Sequence, residues 1–531
     1  MRQGAEGESR MLTAPGGIGL QQRTTYASVE DGDGRSVTKD APADAPPRRK
    51  STFALLSAVA CSVLGSKLIV ISTLGSPMPF FDQWYGEAAN LYAPYLKGAL
   101  SCANLFAPHN EHRIFVFRVL ALVHLEVAGE WNTRLEMIFG AIIHTAMIVW
   151  LLALLMPLVA VRRRMPLACF VALLFALPIG YENTLSGFQS QVYLVLFFGV
   201  AALVAFTSAQ PFSARWFCGL GAAILSYLSF GSGLATTLAA GALVCLQLAT
   251  NARKRCVREF AGVVVLASIA LAMILWATSS EHPMSTPWMF IQGLFLVGGQ
   301  AIVGLFPMVW FCHHTLARRP AIADGAWLVV GISEWVAIQL VLLAYGRGPV
   351  MAVRYMDMIL LVYPVGLAAV FALSETARAS RFGRYAGPGT MAWVFVVVAA
   401  FVVLGYASTV GAIAWGQATR QQEANVQAYL ATRNVDDLHA NGGHGQMFDL
   451  SYPQPQQLAE ILDDRDIRAI LPHQFRPVDA DNAGARTRML LKGSLARDTA
   501  NAVHLVLAMG PALLAMGIGL FFAAGARRSL R

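Results

Sequence analysis

The stretch His112 to Gly129, HRIFVFRVLALVHLEVAG, decides how this chain is threaded. It is apolar for about fifteen residues, the length at which a surface helix and a short span look alike, yet it carries Arg113, Arg118, His124 and Glu126. If 114 to 128 crossed a membrane, the run RRR at 162 to 164 would land on the side opposite the other basic clusters, against the rule that Lys and Arg resist translocation. An interfacial helix lying along the surface, its charged groups toward water, removes the conflict.

Working outward, the composition supports a membrane setting. Of 531 residues 56% are hydrophobic and only 13% charged, and the mean hydropathy is +0.53; a water-soluble enzyme does not have this balance. A span takes roughly 20 apolar residues to cross ~30 Å of hydrocarbon. Twelve stretches qualify: 52–74, 136–160, 165–181, 190–209, 215–231, 233–250, 260–278, 289–312, 326–345, 355–374, 389–415 and 501–524, of which 165–181 and 215–231 are short. With these spans the basic clusters at 48–50, 162–164, Arg215, 252–258, 317–320, 377–384 and 526–531 all share one side. Both termini are then cytoplasmic in a multi-pass protein of a cell inner membrane. The net charge of +9 records this topology, and no nucleic-acid partner is needed to explain it.

Four regions follow. Residues 1–50 are rich in Gly, Ser, Asp, Ala and Pro and read as a disordered cytoplasmic tail. Residues 51–416 form the transmembrane domain, with a long outer loop at 75–135 holding two interfacial helices. Residues 417–497 turn polar and read as a small periplasmic α/β domain, with helices near 421–431 and 455–463 and a strand near 467–471. Residues 498–531 give a last span and a basic tail. Of seven cysteines only Cys102 falls on the oxidising side, so no structural disulfide is expected.

The polar motifs collect on the outer face: FFDQWYGE (80–87), PHNEHR (108–113), YENTLSGFQSQ (181–191), SFGSG (229–233), SSEHP (279–283) and YGRGPVMAVRYMD (345–357). Each has a structural reading beside a chemical one. Asp82 can cap a helix, HNEHR can anchor a helix at lipid headgroups, and Asn and Gly in YENTLSG suit turns. Turn chemistry does not explain Glu182, Gln189 and Gln191 at the membrane boundary, nor do charge statistics favour Arg347 and Arg354 on an outer face. H-x-E-H lacks the spacing of zinc peptidases, although His and carboxylate side chains leave a divalent metal ion open as a cofactor. Glu334 lies mid-span, where a carboxylate is costly; His144 and His504 read as core histidines.

This layout resembles the GT-C superfamily of polyprenyl-phosphate-dependent integral-membrane glycosyltransferases, through a largely uncharacterised bacterial branch. The likeness covers roughly 52–375 and rests on the number of spans, the long first outer loop with two surface helices, and the phrases DQW, HNEHR, ENTLSGFQSQ and RGPVMAVRY. It implies a GT-C-like all-α polytopic fold of about 12 transmembrane helices, and an inverting transfer of sugar from a polyprenyl-phosphate-linked donor to a lipid or glycan acceptor. It also implies a catalytic carboxylate at Asp82, the acidic residue of that loop.

Chemistry supplies roles around it. A carboxylate accepts the acceptor's proton, Asp82 first and Glu111 second. Donors on the departing phosphate come from His109, His112, Arg113, Arg347 and Arg354. Trp84, Tyr85 and Phe188 offer stacking surface. Glu87, Asn110, Glu182, Asn183, Gln189 and Tyr355 complete the expected substrate-binding set, among membrane lipids. Two other classes compete: a transporter or flippase of a lipid-linked glycan, which would show paired repeats, and a non-catalytic envelope polysaccharide assembly factor that uses 417–497 as its binding module.

Overall fold

The computed structural model describes residues 47–110, 112–278, 286–350, 352–378, 380–381, 383–439 and 447–529. Every regular element among them is helical. Helix α1 (Pro47–Leu74) leads to a π-helix (Trp84–Tyr92) that continues as α2 (Ala93–Leu96), then α3 (Cys102–Phe106) and α4 (Phe115–Ala128). There follow α5 (Thr133–Leu155), α6 (Val161–Ala176), α7 (Tyr181–Thr184), α8 (Ser190–Phe206), α9 (Ala214–Tyr227), α10 (Leu234–Ala249) and α11 (Val257–Thr278). Next come α12 (Pro287–Arg318), α13 (Ala326–Arg347), α14 (Met356–Leu360), α15 (Val362–Ala377) and α16 (Gly383–Thr432). The last five are α17 (Pro455–Asp463), α18 (Arg465–Ile470), α19 (Asn482–Thr487), α20 (Ala496–Ala508) and α21 (Gly510–Ser529).

Nine helical stretches among the described residues are long and apolar enough to cross a bilayer, and α20 with α21, bent by 44° at their junction, would make a tenth. This is a polytopic helical membrane protein. The expected spans 165–181 and 215–231 fall short, because α6 has 16 residues and opens with three arginines while α9 has only 14. Both nevertheless run from one end of the bundle to the other. Arg163 Nε sits 3.0 Å from Glu375 at the far end of α15, and the chain beyond α6 brings Asn183 Nδ2 within 2.7 Å of Arg354 O at the near end. Likewise Arg215 donates to Val204 O at 2.7 Å, and Ser226 to Val195 O at 3.2 Å, which sets α9 antiparallel to α8.

Charges segregate between these ends. Arg162 and Arg378 join Arg163 on Glu375, at 2.7 and 3.2 Å. At the opposite end lies the 75–135 loop, tied to α9 by the Val116 N–H on Leu228 O.

Within that loop α4 is helical as expected, but it faces the other way. Arg118, His124 and Glu126 are buried while Val119 and Val123 are exposed. Arg118 donates to the carbonyls of Leu105 and Ala107. Glu126 accepts from the Tyr95 hydroxyl and from the backbone N–H groups of Leu490 and Leu491. Buried charges need such partners, and the amides that satisfy Glu126 come from a distant part of the chain.

The strand expected at 467–471 is helix α18. Asp464 accepts the Asp466 N–H at its start, and this cap settles a short apolar run that periodicity leaves ambiguous. The expected α/β segment is therefore all helical among its described residues. Its helix near 421–431 is the end of α16, whose 50 residues at ~1.5 Å each outrun a bilayer. Leu458, Leu462, Ile467 and Ile470 of this segment share one apolar cluster with Trp84, Tyr92, Phe117 and Trp131 of the first loop. Each such side chain fully buried stabilises by roughly 1.5–3 kcal/mol, so loop and segment hold each other.

Cys102 and Cys256 are both exposed, at opposite ends of the bundle. If the arginine-rich end faces the cytoplasm, as basic residues require, a membrane-impermeant maleimide applied to spheroplasts labels Cys102 and spares Cys256 until the membrane is opened. The reverse pattern would invert the topology.

Candidate functional site

A cavity of about 240 Å³ opens at the loop end of the bundle, lined by Phe80, Phe81, Asp82, Glu182, Ser186, Phe188, Gln189, Arg354 and Trp415. Four of the expected site residues, Asp82, Glu182, Gln189 and Arg354, thus meet from three separate pieces of chain, together with the expected aromatic Phe188.

Asp82 follows Phe81, whose φ of 47° is a left-handed conformation that non-glycine residues seldom adopt. The turn lifts the Asp82 side chain half out of the core. Its Oδ2 lies 3.9 Å from Nε2 of the buried His109, an ion-pair distance too long for a full hydrogen bond. Burial opposes its charge, but His109, Arg354 and His112 more than offset this and hold the carboxyl below its ordinary range. Asp82 is therefore an anion at neutral pH. Across the cavity burial pushes the Glu182 carboxyl above its ordinary range, which Arg354 offsets only in part. Glu182 Oε2 lies 3.7 Å from Arg354 Nη1 and accepts the Arg354 backbone N–H at 3.3 Å. Their surroundings thus shift the two carboxyl groups in opposite directions.

The HNEH turn is built by its own backbone. His109 and His112 exchange N–H to O bonds of 3.0 and 2.9 Å, and Asn110 takes the left-handed φ of 52° that Asn tolerates better than most side chains. Glu111 lies outside the described residues. His112 packs on Phe230, 3.9 Å between ring centroids, and faces Arg347 Nη2 at 3.2 Å. Arg347 and Arg354 both lie over the Tyr355 ring, at 5.8 and 5.5 Å, so they form a basic wall beside the cavity.

Other expected residues go elsewhere. Trp84 packs edge-on against Trp131 inside the shared apolar cluster. The Arg113 guanidinium bonds Trp276 O at 3.0 Å and lies over its ring, which ties the loop to α11. Glu87 is fully buried beneath the site. It accepts from Gln83 Nε2 (3.1 Å), Tyr92 OH (3.0 Å) and Trp131 Nε1 (3.0 Å), and Gln83 also reaches Glu136 Oε2 at 3.1 Å. Burial drives the Glu87 carboxyl up to about 7. A Cβ at Gly187 would lie 2.2 Å from Glu136 Oε2, so only glycine lets the 187–189 turn close over this pair.

Sequence reasoning missed a second layer. Lys67 in α1 and Asp357 in α14 are both buried. Lys67 Nζ donates to Thr184 Oγ1 at 2.9 Å and Tyr193 OH at 3.3 Å. Asp357 accepts from Asn183 Nδ2 at 2.7 Å, and the same amide holds Arg354 O. His144 stands 3.9 Å from Asp357 and stacks on Tyr193, so it belongs to this polar cluster and is not merely a core residue. A charge inside an apolar span is a functional signal by default, and Lys67 carried it. His504 is exposed, a correction to its expected place in the core. Glu334 Oε2 has no hydrogen-bond partner among the described residues.

Among the described residues no three His, Cys, Asp or Glu side chains converge so as to hold a metal ion. Asp82 and His109 make only a pair, so the described residues do not fit a metal and no step is assigned to one. No family model, curated protein or solved structure matches the chain.

The Glu87 carboxyl titrates upward on folding, from 4.5 to about 7, so the folded state binds the extra proton and stability falls as pH rises through that window. Thermal unfolding followed from pH 4.5 to pH 7 therefore shows a declining midpoint. Glu87→Gln flattens the decline; an unchanged slope would contradict the proton-holding pair.

Proposed function

We propose that the protein is an inverting membrane glycosyltransferase that moves a sugar from a polyprenyl-phosphate donor to a lipid or glycan acceptor at the outer face of an inner membrane. The observation that carries this reading is the meeting of Asp82 and Arg354 in one cavity. A carboxylate kept anionic faces a cation suited to phosphate, at the membrane boundary where a lipid-borne phosphate would lie. Twelve crossings, with α6, α9 and the α20–α21 pair included and both termini cytoplasmic, put this cavity outside.

Asp82 takes the proton of the acceptor hydroxyl as it attacks the anomeric carbon, and the bond from that carbon to the phosphate oxygen breaks on the opposite face. Charge gathers on the departing phosphate, where Arg354, steadied by Glu182 and by the Tyr355 ring, stabilises it. His109 orients the Asp82 carboxylate. Phe80, Phe188 and Trp415 wall the cavity with apolar surface. At about 240 Å³ it lies below the ~300–1,000 Å³ of drug-sized ligand pockets, which suits a single sugar ring with the lipid tail left in the bilayer.

Asp82→Asn keeps the shape and removes the base; transfer measured with a polyprenyl-phosphate sugar in proteoliposomes drops by about 10²- to 10⁴-fold, with thermal stability intact. Full activity in that variant would rule out Asp82 as the base. A missing envelope glycan in the null strain that Asp82→Asn restores would favour the assembly-factor reading. Arg354→Ala lowers transfer strongly and Arg354→Lys restores part of it, since the charge matters along with the fork; equal activity of all three would remove phosphate from the cavity.

A further inference from the structure

A second cavity, of about 580 Å³, shares no lining residue with the Asp82 site. Its walls divide by chemistry along their length. At the loop end are Glu130, Asn132 and Arg134, from the chain entering α5, and His473, from the turn after α18. From there α20 leads Val503 and Leu507 inward to Pro511 of α21. Gly510 packs against Ile69 of α1, so that end lies against the first span. The reach from Ala500 to Pro511 is about 16 Å at 1.5 Å per residue. Ser72, His504, Ala508 and Pro511 are exposed along the mouth, where lipid would surround a helix of this kind.

The charges at the polar end are unequal. Glu130 is neutralised by Arg476 at 2.6 Å, with His473 at 3.4 Å. Arg134 has no carboxylate within ion-pair distance among the described residues, and its one hydrogen-bond acceptor there is Gly75 O, at 3.4 Å from Nε and 3.1 Å from Nη2. The Arg134 side chain lines the groove. A guanidinium fork with spare donors recognises phosphate by geometry and charge together.

We infer that this groove binds one anionic phospholipid, its phosphate on Arg134 beside His504 and His473 and an acyl chain along Val503, Leu507 and Pro511. A bound tail fills the angle between α20 and α21 and joins the last span to α1 and α5. The site stands apart from the Asp82 cavity, and its occupancy does not depend on whether Asp82 is catalytic.

The test is native mass spectrometry of the full chain purified in neutral detergent and titrated with phosphatidylglycerol, with diacylglycerol of the same chains, and with inorganic phosphate. The parent retains one phosphatidylglycerol and releases diacylglycerol readily. Arg134→Gln and Leu507→Trp, which act at opposite ends of the groove, each weaken retention about tenfold or more, the scale of a lost charged hydrogen bond, with the thermal midpoint of each measured alongside. Arg255→Gln, at the arginine-rich end, changes nothing. Retention equal to the parent in a folded Arg134→Gln or Leu507→Trp variant overturns the proposal. Inorganic phosphate that binds at Arg134 and is indifferent to Leu507→Trp also overturns it, since the site would then take a free anion.

Discussion

A charge in an apolar interior must find its opposite or be expelled, and this constraint fixes the geometry of the bundle around Lys67 and Asp357. The two side chains line one void of about 10 Å³, the size of a single water, between α1, the end of α6 and α14. Their partners draw in Thr184, Tyr193, Asn183 and His144, from α7, α8 and α5. A Cβ at Gly180 would stand 2.3 Å from Asp357 Oδ2, so the chain passes there only as glycine. Five helices are thereby pinned at one level. The Asn183 amide passes the constraint on to Arg354 O, which sets the arginine at the edge of the cavity.

A second buried polar group supports the opposite wall. Glu87 and Glu136 share Gln83 and Tyr92 with no cation beside them among the described residues. Retaining a proton on the pair avoids two adjacent negative charges. Gln83 is the neighbour of Asp82 in sequence, and the 187–189 turn closes over Glu136, so both walls of the cavity rest on buried hydrogen bonds. Sites held this way keep their geometry better than sites on free loops. Glu126, with its partners at 490 and 491, extends the same logic outward, locking the C-terminal segment onto the first loop.

Much of the membrane architecture was legible in the sequence, because span length and the placement of arginines are local signals. Asp82, Glu182, Gln189 and Arg354 could be nominated together because polar residues at one membrane face stand out from an apolar background. The orientation of α4 was not legible: Arg118 and Glu126 look like water-facing charges until their backbone partners in other segments are known. The helix at 465–470 was lost for a related reason, since a run this short carries too little periodicity to tell helix from strand. Trp84, Glu87 and Arg113 look like site residues by type and nearness to Asp82, whereas pairing with Trp131, Glu136 and Trp276 turns them inward. Lys67 was a visible anomaly, but Asp357, the buried carboxylate that lines the same void, is a tertiary fact that one sequence does not contain.

The central claim is that Asp82 and Arg354 embrace one phosphate-linked sugar. Its most direct test is an experimental structure of the protein in lipid nanodiscs with a non-transferable polyprenyl-phosphate sugar analogue. The account predicts phosphate density against Arg354 and the sugar's anomeric carbon toward Asp82, with the prenyl chain leaving between helices. Analogue bound elsewhere while the Asp82 cavity holds only solvent would contradict it.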